Sequence, residues 1–165
     1  METKNKYLTP KIFMRNLNII YMGLLAGMMM FGSITLFNTA TWDATMPSSD
    51  DVFLIIVPVA TFIGVVLGRI LYKKKLDALD EVGLLKDKLQ GFQTALIIKF
   101  ALVEAPFLIG IVAAFLNNNI FYLMISGTLV MYFFTLKPTK SRVKKHLDLK
   151  NELEYQFKDD NQVLN

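Results

Sequence analysis

Four apolar stretches dominate the chain, at residues 13–37, 52–72, 94–115 and 120–136. A helix needs about 20 apolar residues to cross the hydrocarbon core of a bilayer, so each stretch is a candidate span and the fourth is the shortest. Inside lipid every backbone polar group must be bonded internally, which leaves helices or closed barrels. The alternating pattern of barrel strands is absent. The sequence therefore predicts an all-α fold, a four-helix transmembrane bundle forming one domain over residues 1–165. Amphipathic helical extensions are expected on the cytoplasmic side at the N-terminus, in the loop after the second span and in the tail, residues 137–165.

Charge agrees on orientation. Lys4, Lys6, Lys11 and Arg15 precede the first span; Lys73, Lys74, Lys75, Lys86 and Lys88 follow the second; Lys137, Lys140, Arg142, Lys144 and Lys145 follow the fourth. The loop between the first two spans has Asp43, Asp50 and Asp51 and no cation, and the connection at 116–119 is uncharged. Basic loops stay cytoplasmic, so the expected location is the inner (plasma) membrane, multi-pass, with both termini cytoplasmic. The first span is too long for a cleavable signal and reads as an uncleaved anchor. Trp42 and Tyr72 fall near the expected interfaces, where amphipathic aromatics are favoured.

Composition removes several functions. Hydrophobic residues make up 53% and charged residues 19% of the chain, against roughly a quarter charged in soluble domains. Cysteine is absent and His146 is the single histidine, so thiol chemistry, Cys-based zinc sites and a His-rich metal site are excluded. No phosphate loop, HExxH or GxSxG is present. Neither an enzyme nor a cofactor is expected. The net charge of +4 is distributed as topology requires and gives no reason to expect nucleic acid as a partner.

Thr9-Pro10 reads as an N-cap followed by proline in the first turn, after which Ile12, Phe13 and Leu17 would face lipid. Leu76, Leu79, Val82, Leu85 and Leu89 recur at helical spacing, which predicts a helical hairpin broken at Gly83, with a surface-lying helix as the alternative. After Pro138, Thr139 can cap a tail helix whose stripe of Val143, Leu147, Leu153 and Phe157 would lie on the membrane, its basic turns against anionic lipid. A docking helix for a protein partner is the alternative.

Within the spans, Glu104 stands out. It lies about ten residues into the third span, near the midplane at 1.5 Å per residue. A charge at that depth costs on the order of 2.5–3.5 kcal/mol to insert. Pro106 removes the helical donor of the Leu102 carbonyl and loosens the backbone beside it. Thr61, Ser126 and Thr128 lie at similar depth in the second and fourth spans. They are either hydrogen-bond partners that tie Glu104 into the bundle or, with it, candidate groups around an ion. Lys99 is close enough to the cytoplasmic end to snorkel. Gly23 and Gly27, and Gly64 and Gly68, form two GxxxG pairs that would let the first two spans approach each other or make a dimer face. The run Met28–Met30 points in three directions and reads as packing, not copper ligation.

The segment Ala101, Leu102, Val103, Glu104, Ala105, with Ala114, Phe115 and Leu116 at its end, resembles the carboxylate helix of the rotary ATP synthase proteolipid (c) subunit. That resemblance covers one span and implies that Glu104 carries a proton or sodium ion. The glycine-rich partner helix and the short polar loop of that family have no counterpart here. Over its full length, on residues 8–13, 93–98 and 137–140, the chain resembles a group of uncharacterised small four-span bacterial membrane proteins. The expected function is that of an accessory or structural membrane subunit, its partners the lipid bilayer and a second membrane protein. Proton or cation handling at Glu104 in a homo-oligomer is the alternative, and a small solute transporter or channel is a further one.

Overall fold

The computed structural model describes residues 8–39, 41–79 and 83–164. Among them the chain is helical, with no β-strand. Helix α1 spans Pro10–Asn38, α2 Phe53–Asp77, α3 Leu85–Asn117 and α4 Ile120–Phe134, followed by two short tail helices, α5 at Lys140–His146 and α6 at Asn151–Lys158. At 1.5 Å per residue the first three are roughly 43, 37 and 50 Å long. By length and composition these three can cross a membrane; α4, with 15 residues, is shorter.

The helix ends follow from local chemistry. Thr9 caps α1 by accepting from the Ile12 N–H at 3.3 Å, with Pro10 in the first turn. Asn38 and the Thr39 hydroxyl donate back to the Ile34 and Thr35 carbonyls and close its other end. Asp51 accepts from the Phe53 N–H and starts α2. Asn118 ends α3 in the left-handed region, φ 51°, and Asn119 caps α4 by accepting from the Phe121 N–H at 2.9 Å. Asparagine tolerates that backbone better than most residues, and so short a link forces α4 back along α3.

Helix α3 is the hub. It packs on α1, α2 and α4, whereas α1 makes no substantial contact with α2. Where α1, α3 and α4 meet, Tyr21 stacks on Phe133 with centroids 5.3 Å apart, and Phe100 lies 5.2 Å from Phe133. At one end the loop after α1 is pinned to the α3–α4 turn. The Asp43 N–H donates to Asn118 O, the Ile120 N–H to Asp43 O, and Asn119 Nδ2 to Thr45 O. At the other end the tail folds beneath the bundle. Phe157, Val143, Leu147 and Leu164 are buried in one cluster with Phe13, Leu17, Leu85 and Leu89. The Leu164 N–H donates to the Leu8 carbonyl at 2.9 Å.

Several expectations are corrected here. Phe13 and Leu17 do not face lipid: they are 1% and 0% exposed, covered by protein. The tail stripe does not lie on a membrane surface, because Val143, Leu147 and Phe157 are buried in the bundle's own base. Among the described residues the N-terminal segment from Pro10 is the first turns of α1 and not a separate helix. The tail helix is two helices, parted by Asp148 and Asn151 at φ 43° and 51°. The hairpin after the second span consists of the continuations of α2 and α3, with Gly83 outside both. Val82, Lys4 and Lys6 lie outside the described residues.

Candidate functional site

Glu104 lies in the middle of α3, at the edge of the face that carries Phe100, Phe107 and Ile111, and is half-buried. Among the described residues it has no hydrogen-bond or ion-pair partner. The expected partners are elsewhere. The Ser126 hydroxyl donates to Tyr122 O at 3.0 Å and is seated at Gly110. The exposed Thr128 hydroxyl donates to Ile125 O within its own helix. The Thr61 hydroxyl is buried with no partner among the described residues.

The reason is rotation. Leu102 and Pro106 touch Gly64 on α2. Glu104 is two residues from each, hence about 200° around the helix at 100° per residue, on the side away from α2 and Thr61. The same rotation separates Glu104 from the Leu102 carbonyl that Pro106 frees. Those two groups do not converge on an ion within one chain.

The glycine pairs divide in the same way. A side chain at Gly64 would overlap the Leu102 carbonyl oxygen, and one at Gly68 would meet Leu102 Cβ at 3.6 Å. This pair therefore seats α2 on α3. Gly23 and Gly27 have nothing within 4 Å, so the expected packing of the first two spans against each other does not occur.

Lys99 is not paired with Glu104. Its Nζ lies 4.5 Å from the centre of the Tyr72 ring, towards the end of the bundle where the tail docks. There it joins Arg142 and His146 around a small cleft. The Tyr72 hydroxyl and His146 Nδ1 are 3.2 Å apart, and the histidine ring packs edge-on against Tyr72 and Phe92. This burial, together with the charges of Lys99, Arg142 and Lys145, lowers the basicity of His146 below its ordinary value. Sequence reasoning did not assemble this group. Its one available signal was that Arg69 and Lys99 both interrupt apolar runs near the same end of neighbouring helices.

These features define an all-helical protein with three helices able to cross a membrane by length and composition. Comparison with family models, with curated proteins and with solved structures finds no match.

Proposed function

We propose that the chain is a four-span membrane protein with both termini in the cytoplasm. It serves as an accessory or structural subunit whose α3 face, carrying Glu104, meets a helix of another membrane protein. The observation that carries this reading is a half-buried carboxyl in the middle of α3 with no partner among the described residues of its own chain. Hydrocarbon penalises such a group unless it finds a hydrogen-bond partner, and a second helix can supply one. The fourth crossing is supported by the hydrogen bond between Leu164 and Leu8. Ends that meet on one side require an even number of passes. Helix α4 is roughly 22 Å long, and local bilayer thinning accommodates a short span at modest cost.

The native mass of the particle extracted in lipid discs tests this directly. A stoichiometric partner that is lost in Glu104→Leu supports the proposal. An assembly unchanged by that substitution, or a lone chain, overturns it. The same unpartnered carboxyl also favours the second reading, proton or cation handling in a homo-oligomer. That reading requires a symmetric particle and carbodiimide labelling of Glu104 that sodium suppresses.

A further inference from the structure

The cleft at the tail-docking end is lined by Tyr72, Lys99, Arg142 and His146 on an apolar floor that includes Phe92 and Leu96. Arg69 lies beside it, its Nε donating to the Tyr132 hydroxyl at 3.4 Å and its guanidinium 5.6 Å from the centre of that ring. Arg69 and Arg142 are both within electrostatic reach of Lys99. Four basic side chains thus gather from α2, α3 and α5, and among the described residues no carboxylate lines the cleft.

Four lysines of the tail are paired. Lys140 pairs with Asp160, Lys144 and Lys158 with Glu154, and Lys150 with Asp148. Arg69, Lys99, Arg142 and His146 have no acidic partner among the described residues. Gathering the positive charges of Arg69, Lys99 and Arg142 without a counterion is unfavourable, and more so against apolar walls. The cleft, about 40 Å³, has room for an oxyanion and is far smaller than a drug-sized ligand pocket. Its depth also matters. Arg69 and Lys99 sit a few residues inside the ends of their apolar segments, from which long basic side chains reach the level of the phospholipid phosphates. Guanidinium groups match phosphate oxygens in a fork geometry, and basic pockets between membrane helices suit anionic headgroups.

We propose that this cleft binds a phosphate oxyanion supplied by the headgroup of an anionic phospholipid, with Lys99 at its floor and Arg142, His146 and Arg69 at its rim. The inference rests on the membrane-spanning reading and not on the role of Glu104.

The test is native mass spectrometry of the full chain in detergent with equimolar phosphatidylglycerol and phosphatidylcholine. One phosphatidylglycerol should be retained in preference. Lys99→Gln should lower retention at least tenfold, Arg142→Lys, which keeps the charge and loses the fork, should lower it by less, and Lys73→Gln, an equal charge loss on the exposed end of α2, should leave it unchanged. Should Lys99→Gln lose its helical circular dichroism, Arg69→Gln carries the same comparison, with the same tenfold loss expected. Equal retention of both lipids, or retention unaffected by these substitutions, overturns the proposal. Displacement of the lipid by inorganic phosphate would assign the cleft to free phosphate and overturn the lipid source. A chain released from cells without detergent would overturn the membrane reading itself, whereas a membrane-extracted chain without bound phosphatidylglycerol overturns only this inference.

Discussion

Gly64 of α2 lies against the backbone carbonyl of Leu102 in α3, the oxygen that Pro106 deprives of its helical donor. A glycine is required there because any Cβ would overlap that oxygen, and backbone cannot move aside as a side-chain tip can. The freed carbonyl and the absent side chain form one packing unit, and it sets the distance between two helices near mid-depth.

That relationship gives a paired prediction. Gly64→Ala should destabilise the folded chain by about 1–3 kcal/mol, the usual cost of overpacking. Gly27→Ala, which meets nothing within 4 Å, should stay within about 0.5 kcal/mol of the parent. Thermal melting of both variants in one detergent measures the contrast; equal effects would refute the packing assignment.

Replacing Glu104 should separate folding from assembly. Glu104→Leu removes a group with no partner among the described residues of its own chain and about 2.5–3.5 kcal/mol of insertion cost. The isolated chain should therefore melt no lower than the parent, while the native particle loses mass. A lowered melting point would reveal an internal partner.

His146 should titrate below its ordinary value of 6.5. A base whose folded pKa is depressed contributes stability that is present above the unfolded value and is lost as pH falls from 6.5 towards the folded value. Because the chain has one histidine, its imidazole resonance can be followed by NMR without ambiguity. Lys99→Gln removes one of the positive neighbours and should move the titration up; an unshifted midpoint would place Lys99 elsewhere.

Lys144 and Lys158 donate to Glu154 at 2.6 and 2.9 Å and hold its carboxyl at about 2, below the ordinary 4.5. Its contribution to tail docking is present above 4.5 and is lost as pH falls towards about 2. Protection of the amides of residues 151–164 against hydrogen exchange, taken relative to the intrinsic rate at each pH, should fall across that window in the parent. Glu154→Gln should exchange faster at neutral pH and show less change. The effect should be small, because the pair is near the surface.

Removing the tail's apolar anchor is a larger perturbation. Phe157, 3% exposed, shares its cluster with Phe13 and Leu89. Phe157→Ala should cost about 3–5 kcal/mol, read as a lower melting point and faster proteolysis after residue 147. A tail lying on lipid would show neither in detergent.

The long helices were legible because apolar runs of this length leave the backbone little choice, and Thr9 and Thr139 announced their caps through side-chain chemistry. Rotation was not legible. Helix α3 is apolar around most of its circumference, so nothing in its sequence tells which side of Glu104 meets α2, and the choice of Thr61 as partner failed there. The two GxxxG pairs were also indistinguishable in sequence, since small residues state that a close approach is possible and not with which helix. The stripe of Val143, Leu147 and Phe157 reads alike for a bilayer and for a protein base, because both reward the same burial. Convergence of Arg69, Lys99, Arg142 and His146 depends on three separate elements, which no local pattern encodes.

The closure of Leu164 onto Leu8 has a consequence for biogenesis. Phe13 and Leu17 emerge from the ribosome with the first helix, but the residues that cover them, around Phe157 and Leu164, emerge only after all four helices have formed. During that interval the base of the bundle is an open apolar surface. A nascent or prematurely terminated chain therefore displays a feature that the finished one hides, and quality-control proteases that sense exposed hydrophobic segments have a physical criterion for telling the two apart.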